Sequence, residues 1–131
     1  MTQSVYLDHN ATTPLDPRAL EAMMPFLTSE FGNASSSTHE WGLRARGAVE
    51  AARASVAQLI GAIPDEIVFT SGATEANNLA IKGGARLRAR RGLGQHLVTT
   101  QLDHPSVTEV VEWLGDDGFE FTIVSPDSQG I

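Results

Sequence analysis

The chain is 131 residues long, 41% hydrophobic and 19% charged, an ordinary balance for a globular domain able to bury a core. Its net charge of −7 argues against a nucleic-acid or anionic-membrane binder, since either would want a basic face. The absence of cysteine excludes disulfides and cysteine-ligated metal within these residues; no signal peptide and no apolar run near the ~20 residues of a membrane helix is evident, so the cytoplasm is the default location.

In chain order, Val5-Tyr6-Leu7 is a short apolar run that stops at Asp8-His9-Asn10. Asp16 is predicted as an N-cap and Pro17 as the first helical residue, with Leu20, Met23, Met24 and Leu27 following at helical spacing. The Gly-, Asn- and Ser-rich stretch 31–37 reads as an irregular loop. A long helix follows, with Trp41, Ala45, Ala48, Val49, Ala52, Val56, Leu59 and Ile60 on one stripe. Thr38 is its expected cap, and Gly61 stands where a helix C-terminus favours glycine.

The second half alternates strands and helices. Ile67-Val68-Phe69 is predicted as a strand, Glu75 to Arg90 as a helix and His96 to Gln101 as a strand. Ser106 to Leu114 is the next helix and Phe119 to Val124 the next strand. The basic cluster Arg86, Arg88, Arg90 and Arg91 falls at a helix end, where it complements the dipole. A β-α-β-α-β order, preceded by two helices, implies an α/β class with parallel pairing. Residues 1–40 are expected to form an arm and first helix, and 41–131 the first part of a larger, incomplete domain.

Two places offer chemistry. The turn Thr70-Ser71-Gly72-Ala73-Thr74 joins a strand end to a helix start, the usual ligand position in open α/β sheets. The first helical N–H groups lack intrahelical partners and sit at the positive end of the dipole, so a phosphate fits there. Neither common nucleotide signature is present. A plain capped helix start, with Ser71 or Thr74 as the cap, fits the turn as well. The second place is His104, at the C-terminal end of the next strand and on the same sheet edge. Its ring could lie against a flat cofactor or exchange protons, or it could simply cap a helix. His9, His39, His96 and Asp103 show no metal-ligand spacing, and Ser71 lies in no hydrolase elbow. Lys82, the single lysine, reads as a surface charge.

Four stretches together resemble the N-terminal part of cysteine desulfurases of the NifS/IscS type, within the class V aminotransferase group. They are YLDHNATTPLDP (6–17), FGNASSSTHEWG (31–42), EIVFTSGATEANNLAIKG (66–83) and LDHPSV (102–107). The resemblance implies the fold-type I aminotransferase scaffold and pyridoxal 5′-phosphate (PLP) as cofactor. Ala73 and Thr74 would hold its phosphate, and His104 would stack on its ring and move protons. Asn10, Ala11 and Thr12 would line the substrate pocket. The implied reaction converts L-cysteine to L-alanine, and the sulfur passes through an enzyme persulfide to an iron–sulfur scaffold or another acceptor protein. The implied assembly is a homodimer, with no nucleic acid or membrane involved. The family's Schiff-base lysine, its aspartate partner for the pyridine nitrogen and its persulfide cysteine are expected beyond Ile131, so these residues alone should complete no turnover. Selenocysteine lyase or another class V enzyme is the alternative within the group. A non-catalytic interaction module that keeps the phosphate turn is the alternative outside it. The 131 residues read as a portion of a longer enzyme, half of a split one, or a remnant.

Overall fold

The computed structural model describes residues 4–130. The chain divides into two compact units, Met1–Val68 and Phe69–Ile131.

In the first unit, helix α1 runs Pro17–Thr28. Asp16 caps it as expected, its carboxylate accepting from the Arg18 amide at 2.8 Å. Helix α2 spans Glu40–Ile60, and its cap is His39 rather than Thr38. The His39 backbone is extended and its Nδ1 accepts from the Gly42 amide at 3.1 Å, so the ring does what the threonine hydroxyl was expected to do. The loop before α2 packs against that helix start. A Cβ on Gly32 would lie 2.1 Å from the Trp41 carbonyl oxygen, and one on Gly42 would lie 2.1 Å from the Ser36 carbonyl oxygen. Both positions therefore need glycine for close approach, and Phe31 stacks on Trp41 at 5.4 Å between ring centroids. Helix α2 ends on Gly61 at φ 70°, with Ala62 N–H donating to Ala57 and Gly61 N–H to Gln58, the paired bonds of a Schellman motif.

The predicted strand Ile67–Phe69 is not built into a sheet. Ile67 has extended angles, but its N–H donates to the Pro64 carbonyl, closing a short 3-10 turn over Pro64–Glu66. Its carbonyl accepts from the Arg53 guanidinium of α2. With both backbone groups of Ile67 engaged locally, a ladder through this residue has nothing to bond.

In the second unit, helix α3 (Ala73–Arg90), strand β1 (His96–Thr100), helix α4 (Pro105–Asp116) and strand β2 (Glu120–Val124) follow in order. β1 and β2 pair in parallel, with His96 opposite Glu120 and Thr100 opposite Val124. This two-stranded sheet is the sheet of the described residues. Helix α4 is the crossover between its strands. Val110, Leu114 and Phe119 form the core, with Ile81, Ala85, Ala89 and Leu97 packed against it. Leu114 is fully buried, a burial that stabilises by ~1.5–3 kcal/mol. Phe119, expected inside the strand, instead turns into this core just before β2 begins.

The basic end of α3 is more engaged than a solvated helix terminus. Arg86 pairs with Asp117 at 2.8 Å, and Arg88 donates to the Leu93 carbonyl at 3.0 Å. Lys82 is half-buried, its ammonium 4.1 Å from the centre of the Trp113 ring. It makes a cation–π contact rather than standing as a simple surface charge.

Candidate functional site

The site elements of the second unit are the starts of α3 and α4. Gly72 is the N-cap of α3 and, having no side chain, supplies no cap bond. The fourth amide, that of Ala76, already donates to the Gly72 carbonyl at 3.1 Å. Ala73 and Thr74 therefore present their N–H groups at the start of an 18-residue helix, in the dipole's positive field and without a side-chain cap. An ideal Cβ on Gly72 would meet nothing within 4 Å, so the approach to these amides is open. Thr74 itself is exposed. This donor set fits a phosphate group, and the capping alternative through Ser71 or Thr74 is not what forms.

Ser71 has another task. Its amide and hydroxyl both donate to the Glu75 carboxylate, at 2.7 and 2.6 Å. These bonds, the hydroxyl's first and then the amide's, hold the Glu75 carboxyl below its usual range against a smaller desolvation effect. Thr70 Oγ1 donates to the Gly72 carbonyl at 3.2 Å. The turn is thus fixed from behind. The Glu75 charge opposes a second anion nearby, yet it occupies Ser71's donors and leaves those of Ala73 and Thr74.

The other wall begins where β1 ends. Asp103 accepts from the Thr99 hydroxyl at 2.6 Å and from the Thr100 amide at 3.0 Å, so its carboxyl is held below its usual range, chiefly by the hydroxyl. This closes the turn that delivers His104. His104 is the N-cap of α4, its Nδ1 accepting from the Ser106 amide at 3.1 Å. The capping alternative for this histidine is therefore real, but it uses Nδ1 alone and leaves the residue exposed.

The two helix starts are joined side by side. Asn77, one turn into α3, donates through Nδ2 to Ser106 Oγ at 2.8 Å, and Ser106 Oγ lies 2.9 Å from His104 Nδ1. Thr74 and Ser106 also line one open hollow of about 320 Å³ between α3 and α4. The structure therefore gathers Ala73, Thr74 and His104 at one end of the helix pair. Asn77 and Ser106 are the residues that a motif reading misses, because only the packing of α3 on α4 brings them together.

Asn10, Ala11 and Thr12 belong to the first unit. There the Tyr6 hydroxyl donates to the Asp8 carbonyl at 2.8 Å and meets Thr12 Oγ1 at 2.6 Å, while the Ala11 and Thr12 amides turn back to Asp8. Among the described residues no helix is long and apolar enough to cross a membrane.

The second unit is thus a parallel crossover with an uncapped, glycine-preceded helix start and a histidine at the start of the neighbouring helix. Residues 5–131 match the family described as Aminotransferase class-V, and the chain belongs to that family. It is 52% identical over 127 residues to a mitochondrial cysteine desulfurase of Arthroderma benhamiae, covering 97% of this chain and 25% of that protein. It is 51% identical over 126 residues to cysteine desulfurase IscS of Anaeromyxobacter sp. (strain K), covering 96% of this chain and 31% of that one. A solved structure described as SspA in complex with cysteine superposes with a TM-score of 0.81 at 39% identity, over 94% of this chain and 35% of that one. The chain thus spans about a quarter to a third of these proteins' length. Membership implies pyridoxal 5′-phosphate as the cofactor.

Proposed function

We propose that this chain is the N-terminal part of a cysteine desulfurase and supplies the phosphate-binding and ring-stacking portion of its active site. The observation that carries the reading is the start of α3, where Ala73 and Thr74 offer amides without a side-chain cap and a hydroxyl beside them. The relatives named cysteine desulfurase and the neighbour holding cysteine support L-cysteine as substrate, with L-alanine as product. Residues 41–131 then belong to the large cofactor-binding domain, and residues 1–40 to an arm before it.

The roles follow from the chemistry of each group. The Ala73 and Thr74 amides and the Thr74 hydroxyl would bind the phosphate dianion. The Ser71–Glu75 clasp fixes the turn in advance, so little ordering is left for binding. His104, anchored at Nδ1, would present its ring face to the pyridine and its other nitrogen, Nε2, to the bound substrate. When bound, PLP supplies the electron sink for bond changes at the substrate's α-carbon. These residues include no cysteine, so the sulfur-carrying thiol belongs to sequence outside them. An iron–sulfur scaffold or another acceptor protein is the proposed recipient. We further propose a cytoplasmic homodimer; sedimentation of the full-length protein checks the dimer. Cell fractionation checks the location, since one relative is named as mitochondrial.

The test uses the full-length protein. It should bind PLP and form L-alanine from L-cysteine. Thr74→Val should weaken PLP binding by ~1.5–3 kcal/mol, the worth of a hydrogen bond to a charged group. Unchanged affinity would remove Thr74 from the phosphate site. Absence of alanine would remove the desulfurase reading.

A further inference from the structure

We propose that Ser106, backed by Asn77, is a positioning residue that locks His104 in one tautomer, with the proton on Nε2 and Nδ1 as a double acceptor. The inference rests on the proposed function for what His104 works upon, but not for the tautomer itself.

The polarity of the network is set by one group whose role is not adjustable. The Ser106 backbone N–H is a donor, and it points at His104 Nδ1 from 3.1 Å. Nδ1 must therefore offer a lone pair. Ser106 Oγ lies 2.9 Å from the same nitrogen. Two lone pairs would repel, so the hydroxyl turns its hydrogen to Nδ1. The oxygen is then left as an acceptor, and Asn77 Nδ2 donates to it at 2.8 Å. Every bond runs one way, from Asn77 through Ser106 to His104.

Ser106 is only 6% exposed, so solvent is poorly placed to substitute for either partner. A neutral imidazole with Nδ1 committed as acceptor carries its proton on Nε2. The ring is also held in orientation, because Nδ1 is gripped by two donors from one residue. In this neutral form Nε2 offers a bound ligand a fixed N–H hydrogen-bond donor, and the ring plane is set by α4 itself. A histidine that merely capped α4 would need the amide bond alone. The buried hydroxyl and the asparagine from a different helix are additional.

The test is tautomer spectroscopy on the full-length protein carrying ring-¹⁵N histidine, in alkaline buffer. The His104 signals are assigned by their loss in His104→Gln. Wild type should show a pyridine-like Nδ1 and a pyrrole-like Nε2. Asn77→Asp puts a carboxylate where a donor stood. The Ser106 hydroxyl should then turn to the carboxylate, and the population protonated at Nδ1 should rise. Ser106→Ala should weaken the preference, and Ser106→Thr, which keeps the hydroxyl, should retain it. The same preparations are assayed for alanine formation. Asn77→Asp and Ser106→Ala should lower kcat several-fold with KM for cysteine little changed, and Ser106→Thr should stay near wild type.

A wild-type ring protonated at Nδ1 would overturn the proposal. So would a tautomer unmoved by both Asn77→Asp and Ser106→Ala, or one that moves while kcat does not. If wild type makes no alanine from cysteine, the desulfurase reading falls, and with it the positioning role in that reaction. The nitrogen signals still decide the tautomer by themselves.

Discussion

The two units use apolar residues in opposite ways. In the first, the long helix α2 buries only Gly42, Ala45 and Ala57, and α1 buries none of its residues. Leu59, on the stripe that marks α2 as a helix, is 84% exposed. In the second, α4 alone buries Val110, Val111 and Leu114, and Leu97 of β1 with Ile81, Ala85 and Ala89 of α3 packs against the core that Val110 and Leu114 form with Phe119. The same periodicity of apolar residues therefore has two outcomes. A β-α-β crossover brings its own lid, because the helix must lie on the strands it connects. The stripes of α1 and α2 remain largely uncovered among the described residues. The candidate site sits in the unit that carries its own core, where rigid elements can hold donors in place.

The sharpest way to break this comparison is to remove one leucine from each unit. Leu114→Ala should cost ~2.7–5 kcal/mol, the range for deleting a fully buried leucine. Leu59→Ala should stay within about 0.5 kcal/mol, as exposed substitutions do. Urea unfolding of the two variants of the 131-residue chain checks both values. Equal losses would show that the first unit hides Leu59 and that the contrast is false.

Close approaches at glycine sharpen the comparison. A Cβ at Gly42 would meet backbone, 2.1 Å from the Ser36 oxygen and 2.9 Å from the Asn33 oxygen. A Cβ at Gly115 in the second unit would meet the Phe121 ring, 2.5 Å from Cε1. Gly42→Ala should therefore cost ~1–3 kcal/mol by overpacking. Gly115→Ala should cost less, because a partly exposed ring can turn aside. The ranking, read from thermal melts, is the expected outcome; the reverse order would place the rigid contact in the second unit.

Much of this architecture is legible in the sequence where a residue type has one structural use. Asp16-Pro17 starts α1, Gly61 ends α2, and the apolar stripe of Val110, Val111 and Leu114 marks the buried face of α4. That a helix starts after Gly72 is legible too, because the glycine turn is local; that neither Ser71 nor Thr74 caps it is not, because both could have done so. The rest depends on partners far apart in the chain. Arg53 takes the Ile67 carbonyl across 14 residues, which no β-propensity reports. Asn77 reaches Ser106 across 29 residues, which only the packing of α3 on α4 decides. His39 rather than Thr38 caps α2, which a search for hydroxyl, carboxylate and amide caps passes over.

The smallest expected effect concerns three carboxylates with lowered pKa values, Asp16 in the first unit and Glu75 and Asp103 in the second. A carboxylate whose folded-state pKa is depressed lends stability that is fully present above its unfolded value. That stability is lost as pH falls through the folded value. The windows therefore lie below 4.5 for Glu75 and below 3.8 for Asp16 and Asp103. Each carboxylate has a reporter, since the amides of Arg18, Ser71 and Thr100 donate to Asp16, Glu75 and Asp103. Their amide shifts should titrate with midpoints below those ordinary values. The causes differ between the units. Asp16 is lowered first by a hydrogen bond from the charged Arg18 guanidinium, its exposed ion-pair partner, whereas Glu75 and Asp103 are lowered first by hydrogen bonds from the neutral Ser71 and Thr99 hydroxyls. Salt screens exposed charge pairs but hardly touches short dipolar bonds. Raising the ionic strength should therefore move the Arg18 midpoint up toward the ordinary carboxylate value and leave those of Ser71 and Thr100 in place. If all three moved together, the turns flanking the site would be held by long-range charge rather than by the hydrogen bonds that fix them.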